Sequence, residues 1–208
     1  ICASNSNKVL YDFFQTGEYD RNREFVLTTS PSMDILISSN LERLIYHIAG
    51  DSAEADAGFM KKLSEEGKYQ ITDEMRERLG DFAGGYATEE ETAEEIRERY
   101  EKDGYVIDPH TAVASAVYGK YRKETGDATR TVIVSTASPF KFETSVMKAL
   151  GKPHELPDLE LANALSAVSG VAVPKAVAGL RGAEIRHKTV CDKDEKAMAA
   201  EVEKFLGM

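Results

Sequence analysis

The sequence is poor in the groups that most often announce a chemistry. It has two cysteines, Cys2 and Cys191, near opposite ends of 208 residues, which gives no disulfide framework. The four histidines, His47, His110, His154 and His187, show no ligand spacing with either cysteine, so no Cys/His metal site is expected. No apolar run approaches the ~20 residues of a membrane-spanning helix, and the opening residues do not read as a signal peptide. The expectation is a reduced, cytoplasmic setting with both thiols free. There is no Walker loop, no G-x-S-x-G elbow, no H-E-x-x-H and no internal repeat.

What is present describes a folded chain. Hydrophobic residues make up 42% and charged residues 30%, with both signs interspersed, enough for one packed domain with or without a small appendage. A net charge of −10 argues against a nucleic-acid binder, because phosphates would repel the chain as a whole. A local basic patch could still hold a small anion. Ile1-Cys2-Ala3 reads as the end of a buried strand, so the natural protein is expected to extend further on its N-terminal side.

Periodicity and turn chemistry divide the rest. Val9, Leu10, Phe13 and Phe14 predict a helix stopped near Gly17, and Phe25-Val26-Leu27 predicts a central strand. Leu41, Leu44, Ile45 and Ile48 predict a second helix, with Ser39 and Glu42 spaced as a capping box. Thr88 and Glu91 form a second such pair, opening a helix that stops at Gly104. Asp108-Pro109 and Ser138-Pro139 each place a cap before a proline and predict helices ending at Gly126 and Gly151. Between them Thr131-Val132-Ile133-Val134-Ser135 predicts a buried parallel strand. Further helices are expected over Leu159–Val168 and Glu195–Leu206.

The expected class is α/β: a partial parallel sheet flanked by helices, with too few strands for its helices. Residues 1–51 and 104–151 are expected to form the α/β domain, 52–103 a charged helical insertion, and 152–208 a C-terminal extension. The run Glu89-Glu90-Glu91 reads as solvated surface.

In an open parallel sheet ligands gather where strands end and helices begin. Three segments have that form: Ser4-Asn5-Ser6-Asn7, Thr29-Ser30-Pro31-Ser32-Met33-Asp34 and Ser135-Thr136-Ala137-Ser138. Their hydroxyls and amides suit a small polar or anionic ligand, but the same residues also serve simply as caps and turns. His110 could meet a ligand at its helix start or be an ordinary packed imidazole. Lys141 could form a Schiff base, although a solvated lysine in a first turn is the plainer account. Spacing alone selects no catalytic base or nucleophile.

Ser4-Asn5-x-Asn7, Gly17-x-Tyr19-Asp20-Arg21 and the long run Ser30-Pro31-Ser32-Met33-Asp34-Ile35-Leu36-Ile37-Ser38-Ser39-Asn40-Leu41-Glu42-Arg43-Leu44 closely resemble threonine synthase of the longer type. Asp108-Pro109-His110-Thr111-Ala112-Val113 and Ser135-Thr136-Ala137-Ser138-Pro139-Phe140-Lys141-Phe142 follow in the family's order. The resemblance covers Ile1 to about Leu150; beyond it the likeness is only general. It implies the large domain of a fold similar to the β subunit of tryptophan synthase, incomplete here, with pyridoxal 5'-phosphate as cofactor. It further implies a lyase converting O-phosphohomoserine and water into threonine and phosphate, in threonine biosynthesis. The motif puts the hydroxyl facing the cofactor's pyridine nitrogen on Thr136, with Ser135 as fallback. Asn5, Ser30, Asp34, Asn40 and Arg43 are candidates for lining the active site or meeting substrate. The family's Schiff-base lysine and phosphate loop have no counterpart here, so no catalytic residue is assigned and no metal is implied. The chain alone is expected to be inactive without the N-terminal half as its partner. Alternatives are another lyase of the same fold type, or a non-catalytic α/β module that binds an anion or a subunit.

Overall fold

Apolar spacing and one glycine fix the start of the fold. Cys2–Ser4 form strand β1, and Val9 and Phe13 bury one side of helix α1 (Val9–Thr16). Gly17 ends α1 at φ 76°, a left-handed conformation that costs glycine little. The structure, a computed structural model, describes residues 1–208 except for the side chain of Asp158. After α1 come β2 (Glu18–Asp20), short 3-10 turns at Pro31–Met33 and Ser39–Leu41, and helices α2 (Glu42–Ile48) and α3 (Ala53–Glu65). There follow β3 (Lys68–Gln70), α4 (Asp73–Glu77), β4 (Gly84–Tyr86), α5 (Glu89–Asp103) and α6 (Pro109–Thr125). A 3-10 turn at Pro139–Lys141 precedes α7 (Glu143–Ala149) and α8 (Asp158–Ser169). The chain is α/β. β1 pairs in parallel with β4, opposing Ala3 to Gly85, and β2 pairs antiparallel with β3.

The main core joins α1, α2, α3, α4 and the β2–β3 ribbon through Phe13, Tyr19, Ile45, Ile48, Tyr69 and Met75, all buried. Tyr19 and Tyr69 stack with ring centroids 5.4 Å apart. A second cluster seats α6 on the parallel pair through Ala87, Val113 and Val117. Gly85 is what lets them approach: a Cβ there would lie 2.5 Å from Val117 Cγ1. Gly85→Ala is therefore expected to cost about 1–3 kcal/mol by overpacking, read as a lower urea midpoint with an unchanged m-value.

Local signals held where the chemistry is local. Thr88 and Glu91 make the complete capping box of α5, Gly104 and Gly126 end α5 and α6 with positive φ, and Asp108 caps α6 through the amides of His110 and Thr111. Other expectations need correction. Ser39 caps nothing: it lies in a 3-10 turn that runs directly into α2, whose first neighbour Leu41 is already helical. Ser138 caps a 3-10 turn, and α7 begins only at Glu143. Phe25–Leu27 and Thr131–Ser135 form no strand and join no ladder, and Leu27, Val132 and Val134 are 83%, 83% and 71% exposed. A strand requires a neighbour, and the first run instead trades both backbone bonds of Val26 with the Asn7 side chain.

The stretch 52–103, expected as a helical insertion, also supplies β3 and β4, and Leu63, Tyr69, Ile71, Met75 and Leu79 from it lie in the main core. Contacts divide the chain at 173/174. Residues 174–208 form a unit of their own, with α9 (Lys175–Ala178) and α10 (Glu195–Leu206), capped by Asp194 and ended by Gly207. Met198, Val202 and Phe205, which share a face of α10, are exposed. No helix among the described residues is long and apolar enough to cross a membrane.

Candidate functional site

Only the first of the three polar segments follows a true strand, yet all three meet. The turn after β1 and the 28–34 loop are joined by side-chain amides. Asn5, 1% exposed, points Nδ2 at Thr28 Oγ1 (2.9 Å), Ser30 Oγ (3.1 Å) and Asp34 Oδ1 (2.7 Å). Its Oδ1 accepts from the backbone N–H of Asn7 at 3.1 Å. Asn7 Nδ2 donates to Asp34 Oδ1 at 3.1 Å, and the Thr28 backbone N–H donates to Asp34 Oδ2 at 2.9 Å. Asn5, Asn7 and Ser30 are buried and Thr28 and Asp34 half-buried, and these polar groups satisfy one another, as burial demands. Asn5, Ser30 and Asp34, expected as lining of an active site, thus come together in a cross-linked knot and do not themselves line the neighbouring cleft.

Glu89 adds a brace from α5. Its Oε2 accepts from the Thr29 backbone N–H at 3.0 Å, while Oε1 is buried with no hydrogen-bond partner among the described residues. The acidic run at the head of α5 is therefore not uniformly solvated. Further along, the Tyr19 hydroxyl donates to Leu36 O (3.0 Å) and accepts from Ser38 N (2.8 Å), holding the 35–38 segment. Burial pushes this phenol up, against the lowering pull of the Ser38 amide and Arg23, so it stays protonated.

The third segment is tied in through the head of α6. Asp108, buried, accepts at Oδ1 from the His110 and Thr111 amides, and at Oδ2 from the Thr111 hydroxyl. Thr111 Oγ1 lies 2.8 Å from Ser135 Oγ. An ionised carboxylate only accepts, so Thr111 spends its proton on Asp108 and the Ser135 hydroxyl must donate to Thr111. Thr136 makes no such bond and is exposed at the edge of a cleft of about 420 Å³. Ile1, Ala3 and Met33 line one part of that cleft, His110 and Tyr118 another, and the apolar run from Thr131 much of the rest.

Asn40 and Arg43 are exposed and line no part of this cleft, and their side chains have no hydrogen bond or ion pair among the described residues. Lys141 is exposed in its 3-10 turn, and no lysine lines the cleft. Asn7, Thr28, Glu89 and Thr111 belong to the arrangement but were not singled out from sequence. Asn7 and Thr28 sit inside or beside segments already marked as polar; Glu89 reads as part of a solvated charge run, and Thr111 stands only within the Asp108–Val113 motif. Among the described residues, no group of three His, Cys, Asp or Glu is placed to hold a metal ion.

A family model described as "Threonine synthase, C-terminal" matches residues 111–202, reaching well into the tail where sequence motifs were thin. "Threonine synthase-like 1" of Macaca fascicularis is 34% identical over 212 residues, covering 99% of this chain and 28% of that protein. Threonine synthase of Saccharomyces cerevisiae is 36% identical over 163 residues, covering 71% of this chain and 32% of that protein. Among solved structures, a yeast threonine synthase superposes with TM-score 0.79 at 28% identity, covering 99% of this chain and 42% of that one. The PLP-bound threonine synthase from Brucella melitensis gives TM-score 0.67 at 35% identity, covering 81% of this chain and 34% of that one. The chain thus spans about a third of the length of the relatives it matches.

Proposed function

Because this chain belongs to the threonine synthase family, we propose that the natural protein carrying it is a pyridoxal 5'-phosphate lyase that makes threonine and phosphate from O-phosphohomoserine and water. The residues of this chain supply the side of the site that faces the cofactor's ring nitrogen. The observation that carries the reading is the contrast between two adjacent hydroxyls. The Ser135 hydroxyl donates its hydrogen bond to Thr111, while the Thr136 hydroxyl makes no such bond at the edge of the cleft. A pyridine nitrogen needs a donor, so Thr136 is the residue that fits and Ser135 becomes its brace.

When bound, the cofactor supplies an electron sink for the loss of protons next to the substrate's amino group. A hydroxyl partner does not hold the ring nitrogen protonated as a carboxylate would, so it favours a milder sink. The residues here bind and orient. The knot of Asn5, Ser30 and Asp34 fixes the 28–34 loop, and Arg43 and Asn40, exposed outside the cleft, are available to meet an anionic substrate or a segment of the N-terminal half. The cleft has no lysine of its own, so this chain by itself is expected to turn over no substrate.

The test is phosphate release from O-phosphohomoserine by the natural full-length protein, with and without pyridoxal phosphate. Thr136→Ala should lower turnover about tenfold to a hundredfold, the loss of one hydrogen bond to a charged or reacting group. Ser135→Ala should stay within about fivefold of the parent, since it removes a neutral brace. A folded protein with no cofactor absorbance and no release would refute the enzyme and leave an anion-binding or subunit-binding module. Release with the two alanine effects reversed would move the ring-nitrogen role to Ser135.

A further inference from the structure

His110 is 8% exposed and makes a bond at each ring nitrogen. Nε2 lies 3.2 Å from the backbone N of Ser32, and Nδ1 lies 3.1 Å from Asp108 Oδ1. A backbone N–H can only donate, so Nε2 must accept and the ring proton sits on Nδ1, where the carboxylate receives it. This arrangement removes His110 as a general base, because the lone pair a base would use is taken by the amide. It also meets a local need. Ser32 lies in the first turn of the Pro31–Met33 3-10 helix, whose N-cap Ser30 makes no side-chain cap bond, so that amide has no partner within its own helix.

We propose that His110 is a positioning residue, clamping the Ser30–Asp34 loop to the Ser135–Thr136 segment so that the two sides of the cleft keep one spacing. The proposal rests on the reading of the cleft as a cofactor and substrate site. Hydrogen bonds run without a gap from Ser32 N–H to His110, to Asp108, to Thr111 and to Ser135. They join segments 78 and 24 residues apart in sequence. The Phe142 ring, 4.8 Å from the imidazole centroid, covers the junction and keeps the ring from swinging away.

Two substitutions separate the halves of the clamp. His110→Asn keeps a donor where Nδ1 stood and loses the reach to Ser32. His110→Gln places an amide oxygen where Nε2 stood and keeps an acceptor for Ser32. In the full-length protein, amide hydrogen exchange in the peptide containing Ser32 should quicken about tenfold in His110→Asn, the loss of one hydrogen bond. It should return to within about twofold of the parent in His110→Gln. The KM for O-phosphohomoserine should rise in the Asn variant, more than kcat falls, and recover in the Gln variant. Exchange around Ile45 serves as the internal reference, since misfolding would quicken both peptides. The proposal fails if Ser32 exchange in His110→Asn stays within about twofold of the parent, or if Gln behaves as Asn does. Exchange needs no turnover, so it decides the clamp even if the lyase reading is wrong.

Discussion

Phe13→Ala is expected to lower the stability of the chain by about 3–5 kcal/mol, the usual cost of emptying an aromatic site that cannot collapse. Phe13 is fully buried, and its ring meets those of Phe14, Tyr19 and Tyr69 at centroid distances of 5.5, 6.1 and 6.3 Å. These partners come from α1, β2 and β3, so the cavity would open where three elements join, and neither tyrosine can close it without disturbing the stacked Tyr19–Tyr69 pair. Denaturant titration should show a lower midpoint. Leu27→Ala, on an 83% exposed side chain, should stay within about 0.5 kcal/mol of the parent. A Phe13→Ala loss of less than about 1.5 kcal/mol would mean that this aromatic cluster is not the core.

The contrast between Phe13 and Leu27 also marks what could be read from the sequence. Phe13 announces itself through helical spacing with Val9, and its terminator Gly17 follows on cue. Both signals involve residues within a turn or two of each other. The box of Thr88 with Glu91 and the Asp108 cap are legible for the same reason. Leu27 and Val132 look equally apolar, but whether they are buried depends on a neighbour far away in sequence. None is present among the described residues, and both are exposed. The ribbon of β2 and β3 was missed for the converse reason: three residues each carry too little period to show, and the pairing spans a distance in sequence that no local pattern records.

The candidate site divides along the same line. Hydroxyl and amide density pointed to three loops that the fold brings near one another. It could not say that Asn5 would spend its amide on Asp34, that Glu89 would reach the Thr29 amide, or that Ser135 would be committed and Thr136 left free. Those outcomes are set by geometry between distant segments. Asn40 and Arg43 sit in a distinctive run, and sequence alone did not place them exposed and outside the cleft.

The polar knot allows a sharper test than simple deletion. Asn5→Asp puts a second carboxylate 2.7 Å from Asp34 Oδ1, where an amide N–H now donates. Two carboxylates that close cannot both ionise, so one must keep a proton. Holding a proton on an ordinary carboxyl at pH 7 costs about 4 kcal/mol, which caps the penalty. The unfolded chain ionises both groups freely, so it binds fewer protons than the folded one. Stability of the variant relative to the parent should therefore rise as pH falls, by about 1.4 kcal/mol per unit, until the penalty vanishes near pH 4. Asn5→Ala leaves buried partners unsatisfied instead, and should cost about 2–4 kcal/mol with no such pH slope. Adding Asp34→Asn to Asn5→Asp restores one donor to one acceptor, and the slope should disappear. Recovery stays partial, because the new amide would face Asn7 Nδ2, also a donor, 3.1 Å away. Unfolding midpoints measured from pH 4 to pH 7 for the parent, both single variants and the double variant decide the matter. A flat Asn5→Asp profile would show that the two side chains do not meet, and the knot that fixes the 28–34 loop would lose its central bond.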